Sequence, residues 1–199
     1  MKLVATVSNM EEIQIAKNAD FIELRLDLGK FENPPPRNYI VTFRRKSDGG
    51  SYEGEEKIRI ESLKLFSESV KAAFVDLEYD LPDSIFDIFR CEIIESYHNF
   101  KETPELSFLK DLVESRRGDY FKIATMGNSK EDWNKIVRIL SEYKNVIAFL
   151  MGENFRFTRI VSAFLGSPFI YCYVGKKKAP GQIELGEAIE ILRILGVKR

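Results

Sequence analysis

Lys122 sits in the middle of an apolar, β-branched and aromatic run, Tyr120-Phe121-Lys122-Ile123-Ala124-Thr125-Met126, which has the length of a buried strand. Alternate side chains of a strand share a face, so Lys122 points with Ala124 and Met126 while Phe121, Ile123 and Thr125 point the other way. Burying an ammonium is costly. Burial lowers its pKa and favours a neutral, nucleophilic amine that can form an imine with a carbonyl compound. The competing account is a lysine that snorkels out at a strand end or pairs with a carboxylate. His98 is the single histidine of the chain, and its titration range suits proton transfer near neutrality. Arg25 and Arg44 supply forked donors for hydroxyls or a carboxylate, and arginines nearby also help keep a lysine neutral. With one histidine, a metal site would need several carboxylates, and Glu23, Asp76 and Glu78 have arginines to pair with. Neither a metal nor a cofactor is expected.

The elements that must position these residues follow from the hydrophobic pattern. Strand-like runs fall near 2–7, 21–26, 39–44, 73–79, 92–97, 120–126, 145–151 and 169–174. Helical patterns fall near 9–18, 56–71, 83–89, 104–117, 129–143, 155–165 and 184–195. Ser8 and Asn9 ahead of Glu11 and Glu12, Thr103-Pro104-Glu105, and Ser129-Lys130-Glu131-Asp132 read as helix starts, the last as a capping box. Asn33-Pro34-Pro35-Pro36 leaves only a loop or a single turn after the second strand. Strands alternating with helices at roughly 20–25 residues per unit predict parallel βαβ connections and a compact (β/α)8 barrel occupying 1–199 as one domain. An open doubly wound sheet is the alternative, disfavoured because no Gly-rich phosphate loop follows the first strand.

Within that frame the polar residues fall on one side of each strand. Glu23 and Arg25, Thr42 and Arg44, Asp76 and Glu78, Ser96 and His98, and Lys122 all alternate with apolar residues and cluster towards strand C-terminal ends. The wholly apolar faces suit packing against outer helices, so the polar faces should point into the barrel at the rim where barrel enzymes place their sites. Burying so many titratable groups is expensive unless they bind something or one another.

The bulk numbers narrow the setting. Lys+Arg of 30 against Asp+Glu of 31 gives no charge argument for a nucleic-acid or membrane partner. No apolar run approaches the roughly 18 residues of a membrane helix. The two cysteines, Cys91 and Cys172, lie far apart in strand-like runs and suit reduced thiols in a cytoplasm.

Ordered motifs then add a family. Glu23-Leu24-Arg25-Leu26-Asp27 matches an ExRxD strand, and Thr42-Phe43-Arg44 with Asp48-Gly49-Gly50 matches TxRxxxEGG, with Asp48 in place of glutamate. Ser96-Tyr97-His98-Asn99-Phe100 and Thr103-Pro104 match SxHDFxxTP, with Asn99 in place of aspartate. Phe121-Lys122-Ile123-Ala124-Thr125-Met126 matches a Schiff-base lysine strand. Met151-Gly152 with Thr158-Arg159 follows MGxxGxxSR, with Phe155 for glycine and Thr158 for serine. Ala179-Pro180-Gly181-Gln182 matches a lid in which Lys178 replaces a substrate-contacting serine. Together these motifs resemble the type I 3-dehydroquinate dehydratases, over nearly the whole chain.

The resemblance implies dehydration of 3-dehydroquinate to 3-dehydroshikimate in the shikimate pathway, by syn elimination through an imine on Lys122 with His98 as base and then acid. It implies substrate binding by Glu23, Arg25, Arg44, Asp48, Arg159, Lys178 and Gln182, with Asp76 and Glu78 standing behind them. Arg156, one helical turn from Arg159, is its rival on spacing. With the first strand at residue 2, no N-terminal hairpin of the kind that closes the barrel bottom in many relatives is expected. The apolar segment 155–165 is a candidate homodimer face or barrel-packing stripe. Two other readings predict different behaviour: a class I aldolase would act on aldol substrates, and a non-catalytic carboxylate binder would bind without turnover.

Overall fold

Apolar runs buried on both faces need cover on each; in a barrel, helices supply it outside the sheet and the strands supply it to one another inside. The computed structural model describes residues 1–197. Its strands are β1 (Lys2–Val7), β2 (Phe21–Arg25), β3 (Tyr39–Thr42), β4 (Phe74–Glu78), β5 (Glu92–Asn99), β6 (Tyr120–Met126), β7 (Val146–Met151), β8 (Phe169–Tyr173) and the two-residue β9 (Ile183–Glu184). Its helices are α1 (Met10–Ile15), α2 (Glu56–Ser69), α3 (Asp83–Phe86), α4 (Leu106–Glu114), α5 (Lys130–Glu142), α6 (Thr158–Phe164) and α7 (Leu185–Ile194).

The sheet is parallel and curls in the order β7-β6-β5-β4-β3-β2-β1-β8-β9. This is the strand order of a (β/α)8 barrel, with β1 and β8 joined by a ladder that pairs Val4 with Tyr171. Between β7 and β8 no ladder forms among the described residues. There β9 takes the second edge of β8, pairing Ile183 with Cys172, and the Phe149 and Tyr171 rings meet with centroids 6.5 Å apart.

Register and alternation arrange the interior in layers of four, contributed in turn by even and odd strands. Phe21, Phe74, Tyr120 and Phe169, the first residues of β2, β4, β6 and β8, form an aromatic floor whose ring centroids lie 5.4–5.6 Å apart. Above them lie Val4, Ile40, Ile94 and Ile147 from the odd strands, all buried. The next layer is Glu23, Asp76, Lys122 and Tyr171, also buried but with only one aromatic ring among three ionisable groups. Thr6, Thr42, Ser96 and Phe149 sit on top of it. The barrel is thus apolar at its base and turns polar halfway up.

Outside, α5 shows why a helix forms where it does. Its N-cap is the capping box expected from Ser129 and Asp132, and Ile136, Ile139 and Leu140 recur at the spacing of one helical face to cover Phe121, Ile123 and Val146. Other starts differ from the expectation. Thr103 does not cap α4; its hydroxyl bonds the Thr125 hydroxyl and the Met126 carbonyl, tying the loop to β6. The span 155–165 is split into a 3₁₀ turn at Glu153–Phe155 and α6, which begins where the Thr158 hydroxyl bonds the backbone of Leu150 and Phe155. Among the described residues no helix is long and apolar enough to cross a membrane.

Candidate active site

Lys122 belongs to the polar layer, and its amine is surrounded by what that layer supplies. Its Nζ donates to Asp76 Oδ2 at 3.1 Å, lies 3.9 Å from Glu23 Oε1, and stands 4.1 Å above the centre of the Tyr171 ring. Burial pushes the amine below its ordinary pKa, aided by Arg44 and opposed by Asp76 and Glu23. Glu23 is held from both sides, accepting from Thr6 Oγ1 at 2.7 Å and Thr42 Oγ1 at 2.9 Å. Asp76 accepts from Ser96 Oγ at 2.7 Å and pairs with Arg44 NH2 at 2.8 Å. Burial opposes the Asp76 charge, but Arg44 and Lys122 outweigh it and hold the carboxyl well below the usual range. Asp76 therefore touches the lysine directly. Glu78 instead faces Arg59, at 3.1 and 2.8 Å.

His98 ends the β5 face that carries Ser96, and β5 runs beside β6 with Ser96 opposite Lys122. Arg44 NH1 lies 2.9 and 3.1 Å from the two ring nitrogens of His98. A guanidinium only donates, so the imidazole must offer an unprotonated nitrogen. Burial, then Arg44 and Lys122, push its pKa well below 6.5. Geometry and electrostatics agree on a neutral imidazole, a base rather than an acid at rest. Arg25 is fixed by a fork to Asp27, at 2.8 and 2.7 Å. Asp48 lines the same pocket, but its carboxylate accepts from Arg45 at 2.9 Å and Ser47 at 2.7 Å, so the shorter arm is turned towards its own loop.

The opposite wall carries Arg159, which makes no ion pair among the described residues, while Glu23 and Glu153 act on it from a distance. Arg159 is buried on α6, and its guanidinium lies 4.1 Å from the Phe149 ring centre and donates to the Gly181 and Pro180 carbonyls at 3.0 and 3.2 Å. Burial pushes it down to about 10. A buried guanidinium that, among the described residues, donates to carbonyls and makes no ion pair keeps its charge available to an anion. Arg156 points away and pairs with Glu187 at 2.6 Å, which separates the two rivals. Above lies the loop after β8. Gln182 Oε1 accepts from the Lys178 and Ala179 amides, and Gln182 Nε2 reaches Thr6 Oγ1 at 3.5 Å. Lys178 also lines the pocket, with its ammonium 2.7 Å from Glu12.

The structure thus gathers Glu23, Arg25, Arg44, Asp48, His98, Lys122, Arg159, Lys178 and Gln182 around one pocket at the C-terminal end of the barrel. Sequence reasoning assigned no part to Asp27, Thr6, Tyr171 or Glu12. Asp27 carried a signal, standing two residues after Arg25 in the same motif; Thr6 and Tyr171 share the inward parity of their strands.

The sequence model of the Type I 3-dehydroquinase family matches residues 3–199. The chain belongs to the type I 3-dehydroquinase family. It is 59% identical to the 3-dehydroquinate dehydratase of Archaeoglobus fulgidus over 197 residues, covering 98% of this chain and 100% of that one. It is 36% identical to the Pyrococcus abyssi 3-dehydroquinate dehydratase, covering 99% and 100% of the two chains. Among solved structures it is similar to the 3-dehydroquinate dehydratase of Geobacillus kaustophilus HTA426, with a TM-score of 0.84 at 21% identity over 98% and 91% of the chains. At that identity the likeness supports the fold.

Proposed function

We propose that this chain, acting as one catalytic domain, dehydrates 3-dehydroquinate to 3-dehydroshikimate through an imine on Lys122. The observation that carries this reading is the buried amine of Lys122, pushed towards neutrality in one pocket with a neutral imidazole and the buried Arg159 guanidinium. The Lys122 amine attacks the C3 ketone and water leaves, giving a protonated imine that withdraws electrons from C2. His98 takes the C2 proton, and the electron pair moves into an enamine. The same imidazolium then protonates the C1 hydroxyl, which departs as water from the same face, and hydrolysis of the imine frees product and amine. Asp76 and the Tyr171 ring lie where a cation on the lysine nitrogen is favoured, as amine or iminium.

Glu23, Arg25, Arg44 and Asp48 are proposed to bind the ring hydroxyls. Arg159 would take the carboxylate in exchange for its lid carbonyls, and Lys178 and Gln182 belong to the lid that closes above. A cytoplasmic setting agrees with cysteine usage, two cysteines far apart in the sequence and in no CxxC motif. A homodimer through α6 agrees with the exposure of Phe157, Val161 and Phe164 on one short helix; light scattering on Val161→Asp, expected to be monomeric, tests it.

Borohydride reduction during turnover of 3-dehydroquinate, followed by peptide mass spectrometry, tests the mechanism. A ligand-dependent adduct on Lys122 is expected. Turnover without an adduct would overturn the imine step, and absence of both would overturn the activity.

A further inference from the structure

Glu12 lies on α1, outside the pocket, yet it is only 5% exposed. Its Oε2 accepts from Ser8 N at 2.7 Å and Ser8 Oγ at 3.1 Å, closing the start of α1. Its Oε1 does something else: it accepts from Lys178 Nζ at 2.7 Å and from Lys176 N at 3.4 Å. The two paired side chains are 4% and 7% exposed, and Lys178 Nζ spends a further bond on the Val174 carbonyl at 2.7 Å. The loop is shaped to this carboxylate. Gly175 has φ +64°, and a Cβ there would fall 2.4 Å from Glu12 Oε1. On the other side of the loop the Lys178 amide holds Gln182 Oε1 at 2.9 Å, which connects the ion pair to the residue facing Thr6.

We propose that Glu12 is a positioning residue for the reaction, its buried pair with Lys178 latching loop 175–182 to the start of α1 and holding the lid shut over the pocket. The proposal rests on the reading of this loop as a substrate lid. It gives Lys178 a part played through Glu12, where the serine that it replaces in the family would touch substrate. A buried pair of this kind matters chiefly through what happens when half of it is lost, because the remaining charge is left uncompensated in a dry site. Either half removed alone should drive the loop open. Removing both should cost no more than removing one.

Hydrogen exchange of the 175–182 amides, read beside steady-state kinetics with 3-dehydroquinate, decides it for Glu12→Gln, Lys178→Met and the double variant. Each single variant is expected to speed exchange of this loop by about tenfold or more, with the double no faster than the quicker single. KM should rise while kcat changes much less. Lys178→Met leaves the Ser8–Glu12 contacts in place, so it reports on the latch even if Glu12→Gln loosens α1. Unchanged exchange in both singles overturns the latch. So does a Lys178→Met that raises KM with the loop still protected, because that is the behaviour of a direct substrate contact. Should the unmodified chain fail to turn over 3-dehydroquinate, the dehydratase reading falls, and the exchange data still judge the latch.

Discussion

The Lys122 amine and the Asp76 carboxylate occupy the same barrel layer and meet at 3.1 Å, both almost wholly removed from water. The carboxylate is shared, since its other oxygen lies 2.8 Å from Arg44. One acid therefore sets the charge of the amine and anchors the arginine that touches His98. Asp76→Asn removes the group that most raises the Lys122 pKa, so the amine should lose its proton at lower pH. The expected outcome is a shift of the acid limb of kcat/KM to lower pH with a fall in kcat of about tenfold or more, because the iminium and Arg44 lose their counter-charge. A pH–rate profile checks both parts, and a limb that moves to higher pH contradicts the geometry.

His98 leads to a prediction with two readouts. Its pKa is pushed well below 6.5 in the native chain, so kcat, read once Lys122 is held in the imine and no longer titrates as an amine, should persist below 6.5 before declining. Stability has the same sign. Between the lowered native value and about 6.5, the unfolded chain binds more protons than the folded one, so stability rises with pH across that window and is lost as pH falls. Chemical denaturation at a series of pH values should show this slope, and His98→Asn should remove the histidine part of it. The same variant should lower kcat by about 10²–10⁴-fold if the imidazole carries the proton.

Much of this site was legible because a barrel strand has a strict period of two. Lys122, Asp76 and Glu23 share the parity of apolar residues lower on their own strands, so alternation alone put them on one face. Arg159 was legible only as a spacing shared with Arg156, and the choice came from tertiary packing: one faces the pocket, the other Glu187. Glu12 was seen for what its Oε2 does locally, as an acid in the first turn of α1. What its Oε1 does depends on a lysine 166 residues away, which no local pattern contains. The two-residue β9 was invisible for a related reason. It is a strand only because the edge of β8 is open at that point. The shortened α1, α3, α4 and α6 reflect the weakness of propensity at helix ends, where loop contacts such as that of Thr103 with Thr125 decide.

Tyr171 offers a test on stability. Among the described residues its hydroxyl is buried with no hydrogen-bond partner, while its ring serves the Lys122 amine. Tyr171→Phe keeps the ring and removes the unsatisfied group, so it is expected to stabilise the ligand-free chain by about 1 kcal/mol, or raise Tm by about 2–4 °C. A calorimetric scan without ligand is the measurement. A fall in Tm would mean that the hydroxyl is bonded in solution.

Arg159→Lys separates charge from geometry at the proposed carboxylate clamp. The guanidinium now serves two lid carbonyls and has its central carbon 4.1 Å from the Phe149 ring centre, an arrangement that suits a forked donor and not a point charge. Losing one charge-assisted bond to a carboxylate costs about 1.5–3 kcal/mol, so KM for 3-dehydroquinate should rise about 10- to 150-fold with a smaller change in kcat. Arg156→Lys, altering the arginine that faces Glu187 at the surface, should change neither.

Gly181 tests whether lid closure is a step in turnover. It sits at φ +68° between the proline and Gln182, and an added Cβ would lie 2.4 Å from the Gly152 carbonyl oxygen and 3.0 Å from its carbon. These are backbone atoms, with no flexible side chain that could give way. Gly181→Ala therefore adds the left-handed backbone penalty, about 1 kcal/mol, to a contact that only movement of the loop can relieve. The carbonyls of Pro180 and Gly181 that receive Arg159 would move with it. KM should rise, kcat should fall because water is no longer excluded, and the barrel should unfold at nearly the same denaturant concentration, since the loop can lift without disturbing the layers below. Kinetics with 3-dehydroquinate and a urea titration on one preparation separate the two effects. A large loss of global stability would show that the loop is part of the barrel wall, and unchanged kinetics would show that chemistry proceeds with it open.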